Sequence, residues 1–425
     1  MASKESMGKA WLIFAVGAAS HFTVMFNRVA VGQMFPQLMA EFNTTGVGVA
    51  ALSSIYYYTY ALMQVPAGAL ADTLGPRKVM SGGMLIGAIG WFIFASAKSL
   101  AVASAARLLA GFGLAGIFLG LLKSISIWFP AKKYGTLTGI STFFGNLGVA
   151  TAMFPFVILV GAIGWRASSY TVAGLTLLIA ALIWIFVRDE GPHCVLVKSA
   201  GGRQSLGVIF RGTWEILRTK GSLQPLVGFL LVFGGLMVFT GLWGIPFMMQ
   251  VHAIPQSVAG SLMVISTAGG ATAAVLVGWL TDRSGRPKLL FCILASLQAI
   301  SWLILLYTMR IAGTGTAKAL IAAAMLLMGF SNSSFLPAFV IIRKSNRPEV
   351  SSLAQGLNNA SGFVGAIAMQ ALVSAVMDSL WRGEYFSRGV RLYSTGAYTV
   401  GFLICLGAIG LAVFCGLLMP KDVKA

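Results

Sequence analysis

Negative charge is scarce in this sequence. Asp and Glu supply 11 of the 425 residues against 30 Lys and Arg, and the formal net charge is +19 at pH 7. Histidine and cysteine are also rare, with 3 and 4 copies, and their wide spacing fits neither a metal-ligand set nor a disulfide framework. No acid and base stand at a spacing that suits catalysis, and no Gly-x-x-x-x-Gly-Lys-Ser/Thr run is present to hold ATP. We therefore expect no enzyme, no metal, no cofactor and no direct use of ATP.

Long polar segments are missing as well, which excludes a soluble domain. Hydrophobic residues make up 57% of the chain and charged residues 10%, and the longest polar stretch is 188–222. Apolar stretches of about 20 residues can cross a bilayer, where a helix satisfies every backbone hydrogen bond. Twelve such stretches are predicted, near 11–40, 46–72, 79–97, 101–128, 136–161, 169–187, 225–249, 258–281, 289–309, 318–342, 352–377 and 396–419.

The positive charge is distributed as in a multi-pass membrane protein. With both termini in the cytoplasm, 20 of the 30 Lys and Arg fall in inside segments, 7 fall in outside loops and 3 fall within spans. Cytoplasmic loops of membrane proteins carry this kind of excess. The basic charge therefore predicts both termini in the cytoplasm and gives no reason to expect nucleic acid as a partner.

Two sequence patterns recur at nearly the same offset. Residues 68–78 read GALADTLGPRK and residues 278–288 read GWLTDRSGRPK, an offset of 210. A glycine triplet recurs at an offset of 217, as Gly139, Gly145 and Gly148 and again as Gly356, Gly362 and Gly365. Such matches predict a duplicated six-helix unit. The predicted organisation is a six-helix bundle over 1–187, a cytoplasmic linker over 188–222 and a second bundle over 223–425. Within the linker, 204–218 is expected to form a short amphipathic helix on the membrane surface.

The repeated motif resembles the loop sequence that follows spans two and eight in the major facilitator superfamily. The resemblance covers essentially the whole chain and implies an all-α membrane protein with twelve transmembrane helices in two pseudo-symmetric six-helix bundles. It implies that the motif aspartate binds the N-terminus of a neighbouring helix and latches the cytoplasmic side; the alternative is a turn that only stabilises the fold. The gating or structural residues predicted from the two copies are Gly68, Asp72, Gly75, Arg77, Gly278, Asp282, Arg283 and Gly285. Arg107 joins them because residues 107–113 in the fourth span resemble a second motif of the family.

The ionisable residues inside the spans are mostly basic. They are His21, Arg28, Arg107 and Lys123, and no acidic residue lies clearly at mid-membrane. A charge at this depth is a functional candidate because its burial is costly. Arg28 is the first candidate for an anion site, since a guanidinium holds a carboxylate or phosphate with two hydrogen bonds. His21 lies two helical turns earlier on the same face. Alternatively, Arg28 extends to the membrane surface and His21 is a hydrogen-bonded core residue.

The second span carries a run of tyrosines. Tyr57, Tyr60 and Gln64 fall on one helical face and are predicted to contact the solute. Tyrosines at this point either line a cavity or form an aromatic belt at the outer membrane interface. The pattern favours the belt for Tyr56 and the cavity for Tyr60 and Gln64.

Four residues from other spans complete the predicted substrate-binding set. Asn146, Asn358 and Asn359 lie in the two Gly-rich spans and either contact solute or form hydrogen bonds across helices. Trp243 stands just before a Gly and close to a Pro, which indicates a bend in the seventh span. Trp243 then lines the cavity, forms an outer gate or simply packs.

The chain also resembles a subgroup of the superfamily, the anion:cation symporters for sugar acids and related carboxylates. The resemblance rests on Asn27-Arg28, on residues 62–68 and on Trp128-Phe129-Pro130. It implies that Arg28 binds the anion. Two positions differ, because Asn27 and Leu114 stand where the subgroup carries the acidic residues that handle the proton.

These patterns predict a secondary active transporter that moves a small organic anion, a carboxylate or sugar acid, across a bacterial inner membrane by alternating access. The expected partners are the anionic solute, a coupling ion (proton or sodium) or a counter-anion, and the lipid bilayer, and we expect a monomer. An exporter of amphipathic drugs or metabolites and a non-transporting membrane sensor of the same fold are the alternatives.

Overall fold

The structure of this protein is a computed structural model that describes residues 4–44, 46–193, 206–387 and 390–420. The chain divides into two compact units. The first consists of Met1–Ile216 and Asn346–Leu357, and the second of Leu217–Ser345 and Asn358–Ala425. The segment 346–357 therefore belongs to the first unit although it is distant from it in sequence.

The part of the chain up to Arg218 forms nine α-helices within the described residues. They are α1 (Lys4–Ala30), α2 (Phe35–Glu41), α3 (Gly46–Thr73), α4 (Pro76–Ser96), α5 (Leu100–Leu114), α6 (Ile117–Trp128), α7 (Tyr134–Met153), α8 (Pro155–Phe186) and α9 (Leu206–Arg218). Short 3-10 turns occupy Val31–Met34 and Ala131–Lys133. Helix α9 covers most of the stretch for which the sequence predicts an amphipathic helix.

The later part of the chain forms eight more α-helices and a small hairpin within the described residues. The helices are α10 (Leu223–Val238), α11 (Gly244–Gln250), α12 (Gln256–Ser284), α13 (Pro287–Thr308), α14 (Gly315–Asn332), α15 (Phe335–Ser345), α16 (Ser351–Ser379) and α17 (Thr395–Leu418). A π-helical turn covers Phe239–Trp243, and 3-10 turns cover Met309–Ile311 and Pro348–Val350. Strands β1 (Tyr385–Ser387) and β2 (Val390–Arg391) pair antiparallel.

Ten stretches of the described residues are long and apolar enough to cross a membrane. Helices α3 and α7, which correspond to the predicted second and fifth spans, are not among them. Both helices have the length, with 28 and 20 residues, but they carry the tyrosine run and a series of Gly, Thr and Ser. The all-helical membrane class is confirmed, while the count of twelve spans stays a prediction for these two helices.

Several predicted spans are interrupted. The fourth span breaks between α5 and α6, and the tenth breaks between α14 and α15 at Ser333–Ser334. The seventh span contains the π-helical turn that ends at Trp243, where the sequence indicates a bend. Interruptions therefore occur at the fourth position of each predicted set of six.

The fifth predicted span is interrupted before its expected end. Helix α7 ends at Met153 rather than near 161, because Pro155 cannot continue the hydrogen-bond ladder and starts α8 instead. The stretch that begins at Pro155 is itself broken at Gly164, whose φ of 80° and ψ of 162° are not helical, so two helical segments meet there, within the loop that the sequence predicts between 161 and 169. A positive φ is accessible to glycine without a Cβ clash, so Gly164 marks the point where the chain leaves one helical segment and enters the next.

The repeated glycines bring helices into close contact in each unit. A Cβ on Gly148 of α7 would collide with the backbone oxygen of Phe22 in α1. A Cβ on Gly365 of α16 would collide in the same way with the backbone oxygen of Leu230 in α10. The sequence match between these two glycines therefore corresponds to a matched packing contact, the close approach of two helix backbones that small residues allow.

Candidate functional site

Arg28 lies in the last turn of α1, beside the tyrosines of α3. Its guanidinium carbon is 4.7 Å from the centre of the Tyr60 ring and 5.8 Å from that of Tyr57. The Tyr57 hydroxyl donates a hydrogen bond of 3.3 Å to the backbone oxygen of Arg28. Arg28 is partly exposed, Tyr60 is buried and Tyr57 is exposed. The cation is thus held against aromatic faces, an arrangement worth about 0.5–2 kcal/mol, and remains partly accessible.

The tyrosines of α3 form a continuous ring cluster. Tyr56 stacks on Tyr60 with centroids 5.8 Å apart and meets Tyr57 edge-on at the same distance. Tyr56 is fully buried, so the belt position that the sequence favours for it is wrong. Tyr56 also contacts a second arginine, and periodicity within α3 cannot reveal that contact.

Arg107 of α5 contacts the same cluster at Tyr56. Its guanidinium carbon lies 4.6 Å from the Tyr56 ring centre, and its Nη1 donates a hydrogen bond of 3.4 Å to the backbone oxygen of Asn27. Arg107 is only 1% exposed. Contact with the backbone next to Arg28 makes Arg107 suited to fixing the end of α1.

Gln64 lies one helical turn beyond Tyr60 and is fully buried. Its amide nitrogen donates to the backbone oxygens of Tyr60 and Ala115, both at 3.3 Å. Ala115 stands at the break between α5 and α6, where the helical ladder leaves carbonyls without their usual partners. Gln64 therefore donates a hydrogen bond to the backbone at the point where the fourth predicted span is interrupted.

His21 is packed between helices. The residue is 2% exposed, and its imidazole stacks on Phe118 of α6 at 4.5 Å. Gly145 of α7 leaves room for the ring, since a Cβ there would lie 2.7 Å from Nε2. Nδ1 has no hydrogen-bond partner among the described residues. In the second unit the matching Gly362 faces Phe229, so a histidine occupies in one unit the place that a phenylalanine occupies in the other.

The other predicted solute contacts are distributed over both units. Asn146 is partly exposed in α7 of the first unit. In the second unit, Asn359 is partly exposed, whereas Asn358 is fully buried and its amide atoms have no hydrogen-bond partner among the described residues. Trp243 is 8% exposed and donates from Nε1 to the Ser374 hydroxyl at 3.2 Å. Asn146 therefore shares a unit with Arg28, whereas Trp243, Asn358 and Asn359 belong to the other unit.

The first copy of the repeated motif binds the start of α16. The Asp72 side chain, 2% exposed, accepts hydrogen bonds from the backbone nitrogens of Ser352 and Leu353 at 2.8 and 3.0 Å. Its other oxygen accepts from Nζ of Lys123 at 2.8 Å. A carboxylate at a helix N-terminus gains from the helix dipole and from backbone N–H groups that lack partners within the helix.

The remaining residues of the first motif fix its turn. Gly75 has a φ of 82°, and a Cβ there would lie 2.6 Å from the Asp189 carboxyl carbon. Asp189 accepts a hydrogen bond from the backbone nitrogen of Arg77 at 2.8 Å, at the start of α4. The Arg77 side chain stacks on Trp184 and donates to the Trp184 backbone oxygen at 2.8 Å. Gly68 faces the backbone of Ser352, where a Cβ would collide.

The second copy has different surroundings. Gly278 is buried and Asp282 is partly exposed at the end of α12. Arg283 is exposed and stacks on Trp279 at 4.9 Å, within its own motif. Gly285 ends the helix in a left-handed conformation with a φ of 61°.

Sequence reasoning missed two groups that these contacts bring forward. The sequence indicates that Lys123 is a charge inside a span but assigns it no role. In the structure Lys123 pairs with Asp72. The segment 346–357 receives Asp72 and also Tyr134, whose hydroxyl donates to Gln355 at 2.5 Å. A signal for Lys123 exists, since a basic residue within a span needs an acidic or carbonyl partner. Nothing in the sequence names that partner.

Comparison with known proteins identifies the relatives of this chain. The sequence profile of the Major Facilitator Superfamily matches residues 17–252 and 226–424. The probable sulfoacetate transporter SauU of Cupriavidus necator is 27% identical over 189 residues, which cover 44% of this chain and 44% of that protein. This match therefore spans less than half of that relative's length.

Two longer matches cover nearly the entire chain. The probable galactarate/D-glucarate transporter GudP of Escherichia coli is 21% identical over 99% of this chain and 95% of that protein. The crystal structure of the transporter FucP in the outward conformation covers 98% of this chain and 100% of its own, with a TM-score of 0.77 and 13% identity. The latter similarity supports the fold.

Proposed function

Because the chain belongs to the Major Facilitator Superfamily, we propose that it is a secondary transporter of small organic anions whose charged group is a carboxylate or a sulfonate. The names of the relatives support this class, since they refer to sulfoacetate, galactarate and glucarate. The observation that carries the proposal is the position of Arg28, a partly exposed cation supported by two tyrosine rings. The family and fold are those of transporters, and the protein is not expected to catalyse a reaction.

The chemistry of Arg28 suits an oxyanion. A guanidinium that stacks on a ring keeps its N–H donors in its own plane, so its edge can form two parallel hydrogen bonds with a carboxylate or sulfonate. The stacking on Tyr60 at 4.7 Å restricts the rotamers of Arg28 before any solute arrives. Less side-chain entropy is then lost on binding. Tyr57, which is exposed and whose hydroxyl bonds to the Arg28 backbone, is proposed as a further contact of the solute.

We propose alternating access as the transport cycle, with the Asp72 contact as a latch of the cytoplasmic side. The aspartate accepts hydrogen bonds from two backbone N–H groups in the first turn of α16. It also pairs with Lys123 of α6. An ionic contact at a buried position is suited to favouring one of two conformations. Its release would free the segment 346–357 and open the site towards the cytoplasm.

We propose that transport is not coupled to protonation of a carboxylate at position 27, because this residue is Asn27. Asn27 is fully buried, and its amide donates to the backbone oxygen of Thr23 at 2.6 Å, so the side chain is neutral and bonded within α1. Exchange for a counter-anion, or coupling to a proton or sodium ion bound elsewhere, remains within the proposal. Uptake measured with a pH gradient, a sodium gradient or preloaded anion distinguishes these routes.

The proposed location is a bacterial cytoplasmic membrane with both termini inside. The distribution of 20 basic residues in predicted inside segments against 7 in outside loops supports this orientation. Protease or thiol-label accessibility at the two termini in spheroplasts tests it. Labelling from the outer side would overturn the orientation.

Uptake of radiolabelled anions into proteoliposomes tests the proposed function. We expect the protein to accumulate at least one of sulfoacetate, tartrate and glucarate, and we expect Arg28→Ala to abolish this uptake. Arg310→Ala, at an exposed arginine in a 3-10 turn of the other unit, is the matched control and should leave uptake unchanged. Uptake that survives Arg28→Ala, or export of amphipathic cations instead, would overturn the anion assignment.

A further inference from the structure

Helix α9 exposes three large apolar side chains on one face. Phe210 is 74% exposed, Trp214 is 50% exposed and Leu217 is 37% exposed. Their spacing of four and then three residues places them in one row along the helix. An exposed apolar row of this size is typical of a surface that binds a protein or a membrane.

Basic residues border this row. Arg211 and Arg218 each follow one of the apolar residues, and one residue corresponds to about 100° around a helix, so the two arginines share one edge of the apolar face. Both arginines are exposed. An apolar row with a basic edge is the pattern of a helix that lies in the interface of an anionic membrane.

The opposite face of α9 is attached to the protein. Ile216 is fully buried, and a Cβ on Gly212 would lie 2.9 Å from Cδ2 of Leu353. Glu215 pairs with Arg347. These contacts go to the segment 346–357, the same segment that Asp72 holds. The helix is therefore fixed on one face and presents the apolar row on the other.

The connection to the next helix restricts where this row can lie. Four residues, 219–222, separate the end of α9 from Leu223, where a stretch begins that is long and apolar enough to cross a membrane. An extended connection of this length spans at most about 14 Å. The apolar row therefore lies within reach of the lipid surface. This proximity favours a membrane rather than a soluble protein as the partner of the row.

We propose that α9 is an interfacial anchor, with Phe210, Trp214 and Leu217 inserted at the headgroup–acyl boundary of the cytoplasmic leaflet. Arg211 and Arg218 bind anionic lipid headgroups there. Attraction to such a leaflet adds to apolar burial and requires net negative lipid. This surface is separate from the proposed anion site, and its test does not depend on transport.

Quenching of tryptophan fluorescence by brominated lipid tests the proposal in full-length protein. The chain has 10 tryptophans, so the contribution of Trp214 is taken as the difference between wild type and Trp214→Phe. The same subtraction for Trp11→Phe, an exposed tryptophan of α1, serves as a positive control for contact with lipid. Circular dichroism checks that the variants fold.

We expect the Trp214 difference signal to be quenched by phosphatidylcholine brominated near the headgroup. The quenching should become stronger when phosphatidylglycerol is added to the bilayer. The double substitution Arg211→Gln with Arg218→Gln should remove the effect of phosphatidylglycerol. A Trp214 signal that acrylamide quenches and brominated lipid does not would overturn the proposal, because the face then lies in water. Protection from both quenchers would also overturn it, because a protein surface then covers the face.

Discussion

Replacing Asp72 tests whether one buried carboxylate holds the segment that begins α16. Asp72→Asn keeps the size of the side chain and removes its charge, so the hydrogen bonds to Ser352 and Leu353 lose their charge assistance and Lys123 loses its ionic partner. Breaking a buried ion pair by removing one partner costs about 3–5 kcal/mol. Lys123 is 21% exposed and can turn partly into water, so we expect the lower end, about 3 kcal/mol.

Hydrogen–deuterium exchange of the peptide that spans 348–357 measures this change. A loss of about 3 kcal/mol corresponds to roughly a hundredfold faster exchange of the Ser352 and Leu353 amides, since each 1.4 kcal/mol is tenfold. Lys123→Met should accelerate exchange less than Asp72→Asn, because the two backbone hydrogen bonds remain.

Asp189→Asn is the matched control for this experiment. Asp189 accepts a hydrogen bond from the backbone nitrogen of Arg77 at the start of α4 and belongs to the same unit. Its replacement should accelerate exchange at the start of α4 and leave the peptide 348–357 unchanged. Equal exchange of that peptide in wild type and Asp72→Asn would refute the latch argument.

Two further predictions concern stability. Gly148→Ala and Gly365→Ala should each lower the melting temperature, because the added Cβ collides with a backbone oxygen and overpacking costs about 1–3 kcal/mol, whereas Gly174→Ala, with nothing within 4 Å, should not. Burial lowers the pKa of His252, in the connection before α12, below its ordinary value of 6.5. The unfolded chain therefore binds the proton more readily, so the melting temperature should fall as pH drops below about 6.5. Thermal unfolding in detergent should show this fall in wild type and less of it in His252→Gln; equal slopes would contradict the assignment.

The fold was predictable because its main signals are local. Apolar stretches of bilayer length, the motif at Asp72 and its copy at Asp282 all stand within short windows of sequence. Gly148 and Gly365 could be matched by offset, and each proves to be a point of close helix contact. Boundaries were less predictable. The end of α7 is set by Pro155. Proline lacks the backbone N–H that a continuing helix needs, and it suits the first turn of a new helix.

The candidate site was predictable only in part. Arg28 could be recognised because a charge within a span is rare, and its neighbours on α3 were named from periodicity. The contact between Tyr56 and Arg107 joins residues that are distant in sequence. The pairing of Asp72 with the start of α16 joins residues 280 positions apart. Contacts of this kind are set by tertiary packing, and the spacing of residues within one segment does not predict them.

Binding of organic anions to purified protein tests the central claim about Arg28 most directly. Thermal shift titrations would compare tartrate and sulfoacetate with an uncharged polyol of similar size, in wild type, Arg28→Lys and Arg28→Ala. A bound anion stabilises the folded state by RT ln(1 + [L]/Kd), so the melting temperature rises with anion concentration. We predict a shift with at least one anion in wild type, a reduced shift in Arg28→Lys, none in Arg28→Ala, and none with the polyol. A full shift in Arg28→Ala would contradict the account.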